Sequence, residues 1–258
     1  MNDEPSFSLL EPLMNLLTKR YPKINRTDIN GRKQRNAQLE EARLYRLSDE
    51  TEIKATANQE VASHLEHLCS QFAHNINALD VGCGTGRFFH ALKGVDELTG
   101  IDPSKEMLLA AKHPLHGAKL DVQNIKLTEG VVDSAKLLRN GYDLIYAIAV
   151  FGYPAPIDRA TLDKLYSHLA PGGKLFFTIA NRDDASYKSL FEKSRTRKML
   201  EAIRPYLPAY IGARLASRWQ HAFLSQKEME SMFEDSLFTH FRTWPMANRF
   251  IACEAEKH

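Results

Sequence analysis

The stretch Leu79-Asp80-Val81-Gly82-Cys83-Gly84-Thr85-Gly86 ends an apolar run on an acid and then sets glycine at every second position. Glycines in that pattern allow a tight turn and let backbone N–H groups come close to a ligand. A helix starting after the loop would direct its positive end at the same place. Asp102 follows 20 residues after Gly82. A carboxylate at the end of the next strand can accept both hydroxyls of a ribose. Leu169-Ala170-Pro171-Gly172-Gly173 then precedes a further apolar run, KLFFTIA.

The surrounding pattern supplies the elements that hold these groups. NALDV, ELTGI, NIKLTEG, YDLIYAIAV and KLFFTIA read as strands, and the fourth is almost wholly apolar, as a strand covered on both faces should be. RFFHALKG, SKEMLLAAKH and DRATLDKLYSHLA read as the intervening helices. Strands alternating with helices predict an α/β fold, a doubly wound and mostly parallel seven-stranded sheet. Val61, Leu65, Leu68 and Phe72 recur at helical spacing and predict a helix over 58–73 against that sheet. Ser225 three residues before Glu228 predicts a capping-box helix start. LFTHFRTW and NRFIACEAE, separated by PMA, predict a closing antiparallel hairpin. The chain divides into an N-terminal helical lid (1–57), a Rossmann-like core (58–181), a helical cap insertion (182–236) and the hairpin (237–258).

The set ALDVGCGTGRF, GIDPSKEMLLAA, GYDLIYAIAVFGY and LAPGGKLFFTIAN closely resembles the class I S-adenosylmethionine-dependent methyltransferases over roughly residues 58–181. The resemblance implies S-adenosylmethionine as cofactor. It implies that Asp80 and the backbone of Gly82, Cys83 and Gly84, in the loop that Gly86 completes, hold the methionine end. Asp102 would grip the ribose, Pro103 and Met107 would pack near the adenine, and Ala147 with Ile148 would flank the amino group. Many relatives carry an acid right after the glycine equivalent to Gly130, whereas this chain has Val131, Val132 and then Asp133. Either Asp133 substitutes for that acid or backbone atoms at Val131 read the adenine. Arg46, just before the first core helix, could pair bidentately with the cofactor's carboxylate.

Blander readings stand beside these. Asp80 could brace the loop, and Asp102 could simply cap the next helix. Cys83 reads as a small filler rather than a nucleophile, because nothing visible would lower its pKa. A nicotinamide-dependent oxidoreductase shares the βαβ unit and the ribose acid, but its GxGxxG fingerprint needs glycine where Arg87 stands. A non-catalytic cofactor-binding protein on the same fold is the other alternative.

On the acceptor side, Val150-Phe151-Gly152-Tyr153-Pro154 should line the exit of the methyl group. It lacks the Asn/Asp-Pro-Pro-aromatic motif of enzymes that methylate exocyclic base amines, and it lacks a Pro-Cys nucleophile. A small-molecule or peptide acceptor, methylated at N or O, is therefore expected. Tyr153 is the first candidate to face it, with Asn181 and His221 behind. No catalytic base and no metal-ligating cluster is evident.

Net charge is +2, which requires neither a nucleic-acid nor a membrane partner. The basic residues are unevenly placed: seven against one acid between Thr18 and Arg35, and nine against four from Arg182 to Arg218. These are either solvated faces or an electropositive rim for an anionic acceptor. Cys69, Cys83 and Cys253 are far apart and form no CxxC pair, so the expected setting is reducing and cytoplasmic. The N-terminus does not read as a signal peptide, and no segment reads as a membrane span.

Overall fold

The computed structural model describes residues 42, 52–114, 117, 120–152, 157–184, 224–247 and 250–258. Its strands are β1 (Ile76–Val81), β2 (Val95–Asp102), β3 (Val122–Glu129), β4 (Tyr142–Ile148), β5 (Leu169–Ala180), β6 (His240–Met246) and β7 (Phe250–Glu256). They form one seven-stranded sheet in the order β3-β2-β1-β4-β5-β7-β6. The first five are parallel; β7 runs antiparallel to β5, and β6 antiparallel to β7. Crossovers therefore leave in opposite directions from β1 and β4. The carboxyl ends of these two strands form the switch point, where an open α/β sheet binds its ligand.

The apolar pattern of β4 is explained by its place at the centre. Leu144 and Tyr146 face one helical layer, and Ile145 and Ala147 face the other. The first layer holds α1 (Glu52–Ser70) and α2 (Lys105–Ala111), with a 3-10 turn at Phe89–Ala91. The second holds α3 (Arg159–His168) and α4 (Gln226–Glu234). In α1, Leu65 and Leu68 are completely buried. Each fully buried leucine of this kind contributes about 1.5–3 kcal/mol.

Cross-strand register builds a row on the α1 face. Gly100 of β2 pairs with Asp80 of β1, Asp80 with Tyr146 of β4, Tyr146 with Phe176 of β5, and Phe176 with Glu254 of β7. His64 of α1 covers the far end of the row. Its ring lies 4.5 Å from the Phe176 ring, and its Nε2 is 2.9 Å from Glu254 Oε2. Asn58 covers the near end by accepting from Arg87 at 3.4 Å.

Several elements differ from their sequence expectation. The helix expected at RFFHALKG is a single 3-10 turn over Phe89–Ala91, between glycines at 86 and 94 that both have positive φ. The segment that follows the glycine loop therefore directs no α-helix N-terminus at it. LAPGG does not precede the last parallel strand but belongs to it: Leu169 already pairs with Tyr142, and Gly172 at φ +74° makes the irregularity. Pro245 and Met246 continue β6 rather than the turn, which an edge strand tolerates at proline. Helix α4 carries the expected capping box at Ser225 and Glu228. It packs Met229 and Phe233 into the core, so this part of 182–236 is core and not cap. The proposed lid, apart from Ala42 and the start of α1, and residues 185–223 of the cap lie outside the described residues. No helix among the described residues is long and apolar enough to cross a membrane.

Candidate functional site

The loop after β1 is held from below by β2. Gly82 N–H and Cys83 N–H both donate to Ile101 O, at 2.8 and 3.0 Å. Gly84 N–H donates to Asp102 Oδ2 at 3.0 Å. The three donors expected to face a ligand are thus engaged inside the protein, and of the loop's carbonyls Cys83 O and Gly86 O accept from Gly86 N–H and Phe89 N–H. Gly82 (φ +70°) and Gly84 (φ +55°) have different reasons for being glycine. A Cβ on Gly82 would lie 2.4 Å from Val150 Cγ2, so the loops after β1 and β4 touch there. A Cβ on Gly84 would meet nothing within 4 Å, which makes it the open side of the loop. Gly86 is a packing position, where a Cβ would strike the Phe89 ring at 2.8 Å.

Asp102 ends β2 and is buried, with 8% of its surface exposed. Its Oδ1 accepts from Ser104 N–H at 2.8 Å, and its Oδ2 accepts from Gly84. Burial pushes the carboxyl's pKa up, while the two backbone donors pull it back. Capping of α2 falls to Ser104, whose Oγ accepts from Met107 N–H at 3.3 Å, so Asp102 is not the helix cap. Each carboxylate oxygen has a second lone-pair direction. Two such oxygens beside an open glycine suit a vicinal diol, so the residues present fit a ribose.

Asp80 lies deeper, beneath the same loop. Burial pushes its pKa up to about 8; the Tyr146 hydroxyl and Arg87 act to lower it, and Asp102 to raise it. Cys83 fills the space left by Gly100, where a Cβ would come within 3.1 Å of its Sγ. Burial holds the Cys83 thiol far above its ordinary pKa, which fits the filler reading and not a nucleophile.

At the end of β4, Ala147 is buried and Ile148 half-buried. Ala149 adopts φ +57°, and its N–H donates to the buried Thr178 Oγ1 at 3.0 Å. Such a conformation in a non-glycine residue costs on the order of 1 kcal/mol and clusters at functional sites. Across the site, Gly130 N–H donates to Asp102 O at 3.0 Å and starts the turn that exposes Val131. The Val131 backbone is engaged in that turn. Asp133 is exposed and pairs with Lys164 of α3 at 2.6 Å. At α2, Met107 is buried and Pro103 exposed.

The geometry thus unites Asp80, the glycine loop, Asp102 and the end of β4. Tyr153, His221 and Arg46 lie outside the described residues. Asn181 forms a bridge to Leu224, and its Oδ1 accepts from Asp183 N–H at 2.9 Å, so it pins the two ends of the 185–223 excursion together. Sequence reasoning missed Tyr146 and Thr178. Both sit inside apolar runs, and only strand register brings them to the site.

Comparison with known proteins gives one family. Residues 79–175 match the model of a methyltransferase domain. The chain is 27% identical over 175 residues to a malonyl-[acyl-carrier protein] O-methyltransferase of Bacillus cytotoxicus, covering 65% of this chain and 59% of the relative. It is 30% identical over 110 residues to a ubiquinone biosynthesis O-methyltransferase of Xanthomonas oryzae, covering 42% and 45%. The chain spans about half the length of these curated relatives. Among solved structures, the CurJ carbon methyltransferase superposes with TM-score 0.62 at 16% identity, covering 96% of this chain and 69% of that one. The N-methyltransferase NodS of Bradyrhizobium japonicum, bound to S-adenosyl-L-homocysteine, gives 0.53 at 18% identity, covering 87% and 97%. These two likenesses are of fold.

Proposed function

The core of this chain is a class I S-adenosylmethionine-dependent methyltransferase domain, and from that premise we propose that the protein methylates nitrogen or oxygen of a small-molecule or peptide acceptor. The observation that carries the reading is the Gly84 N–H bond to Asp102, which makes the glycine loop and the ribose-binding acid one rigid unit. When bound, S-adenosylmethionine supplies a methyl group already activated for in-line displacement.

The chain's residues have to bind, orient and exclude water. Asp102 would take the ribose hydroxyls through its free lone pairs. Asp80, with Ala147, Ile148 and Ala149 at the end of β4, would hold the methionine end. Fixing both reactants in one geometry removes up to about 7–11 kcal/mol of barrier. An amine acceptor needs only to arrive deprotonated, a hydroxyl profits from a base, and a carboxylate needs neither. The segment 150–154, without a base-methylation motif, supports N or O of a small acceptor. The basic excess in 18–35 and 182–218 supports an anionic one.

Titration calorimetry with S-adenosylmethionine, S-adenosylhomocysteine and NAD tests the premise. Binding of both adenosyl ligands and not NAD is expected, and tight NAD binding alone would reject it. Methyl-labelled cofactor with a panel of carboxylic acids, free and carrier-bound, phenols and amines tests the acceptor. Label found only on carbon, or on nucleic acid, would reject the N/O assignment.

A further inference from the structure

Tyr146 has a hydroxyl with no use in the fold. The residue is completely buried, and among the described residues its Oη is the buried side-chain polar atom left without a hydrogen-bond partner. Such an orphan costs stability, so its persistence calls for a reason. Strand register sets Tyr146 directly beside Asp80 on the α1 face. The hydroxyl is near enough to favour the charged form of Asp80, yet the two do not complete a hydrogen bond.

The surroundings explain why the contact waits. The charged or titratable groups around Asp80 are Asp102 of β2, Arg87 and Cys83 of the glycine loop, and Tyr146 of β4. From α1, Cys69 faces Tyr146, Asn58 accepts from Arg87 and His64 lies over Phe176, while Val61, Leu65 and Leu68 supply the apolar part of that cover. Burial keeps the phenol neutral and therefore a donor. Burial raises the Asp80 pKa to about 8 and so favours its neutral form, a weaker acceptor. A carboxylate is a much stronger one. The open glycine loop above Asp80 is where a ligand's ammonium would arrive.

We infer that Tyr146 is a positioning residue for the methionine end of the ligand: its hydroxyl closes onto Asp80 when a bound ammonium sits at that carboxyl, and holds the carboxylate against it. This rests on the adenosyl-ligand reading of the site. It adds that the orphan hydroxyl is satisfied only in the complex.

The test is Tyr146→Phe, alone and in an Asp80→Asn background, with S-adenosylhomocysteine as probe. By calorimetry, Y146F should bind about tenfold more weakly, while its ligand-free melting temperature stays level or rises. In the D80N background the same change should have no effect on affinity. Wild-type affinity in Y146F overturns the proposal. So does an undiminished effect in the D80N background, or a loss of affinity that comes with a lower ligand-free melting temperature. If the wild type binds no adenosyl ligand, the functional reading falls and the ligand role of Tyr146 falls with it. The ligand-free pH–stability profile still reports separately on the pair: Y146F should move the Asp80 titration to higher pH, and an unmoved titration refutes their coupling.

Discussion

Asp102 Oδ2 accepts the N–H of Gly84 at 3.0 Å, so the acid at the end of β2 and the open glycine of the β1 loop are one structural unit. The same carboxyl takes Ser104 N–H through Oδ1. It therefore organises two loops before any ligand arrives, and its outer lone pairs are aimed by that organisation.

Asp102→Ala should lose both functions. Two ribose bonds to a charged acceptor are worth about 1.5–3 kcal/mol each, so affinity for S-adenosylhomocysteine should fall at least about a hundredfold. Gly84 and Ser104 also lose their acceptor, so the ligand-free melting temperature should drop by a few degrees, at about 1–3 kcal/mol per stranded donor. Calorimetry and thermal circular dichroism check both effects. Wild-type affinity in a folded variant would leave Asp102 only its bracing role.

Gly82 and Gly84 should respond differently to alanine. At Gly84 the added methyl enters open space and costs only the strain of a left-handed backbone, about 1–2 kcal/mol. It stands on the open side of the loop, so ligand affinity should fall more than stability. At Gly82 the methyl collides with Val150, and stability should fall further. Adding Val150→Ala should restore part of the loss in Gly82→Ala and none in Gly84→Ala. Chemical denaturation of the four variants reads this directly.

Asp80 gives the ligand-free protein a pH dependence of definite sign. Its folded pKa is raised to about 8, above the ordinary aspartate value of about 4. The folded state keeps a proton that the unfolded chain gives up. Stability is therefore fully present below about pH 4 and is lost as pH rises towards 8, by up to about 1.4 kcal/mol per pH unit. Asp102, also raised, adds in the same direction. Denaturant midpoints from pH 5 to 9 should decline in the wild type, and the decline should be much shallower in Asp80→Asn. Equal slopes would show that Asp80 is ionised throughout.

Lys257 tests the other end of the sheet. Its Nζ donates to Asn140 Oδ1 at 2.6 Å, Leu169 O at 2.9 Å and Tyr166 O at 3.0 Å, closing the carboxyl end of α3. Burial lowers its pKa. Lys257→Met should strand the carbonyls and cost about 1–3 kcal/mol, with ligand affinity unchanged. A drop in affinity at equal foldedness would link this end of β5 to the site.

The sequence by itself determined the layers and the chemistry of the loop. Alternation of apolar strands with amphipathic helices has few solutions, and a doubly wound parallel sheet is the one that buries them. Glycines at 82 and 84 followed by Asp102 carry their meaning locally, because left-handed φ and a strand-end carboxylate depend on residue type and spacing. Most of the missed details needed contacts between distant segments. RFFHALKG is the local exception, a 3-10 turn between two glycines of positive φ. LAPGG joined β5 because Leu169 finds Tyr142 as partner. Ser104, not Asp102, caps α2, because the Asp102 carboxyl is drawn across to Gly84. Asp133 meets Lys164, 31 residues away, at the surface. The pairing of Asp80 with Tyr146 is the clearest case. Side-chain direction along a strand has a period of two, so which residues meet depends on the register between β1 and β4. No residue in either strand fixes that register alone; it is set by the packing of both helical layers against the finished sheet.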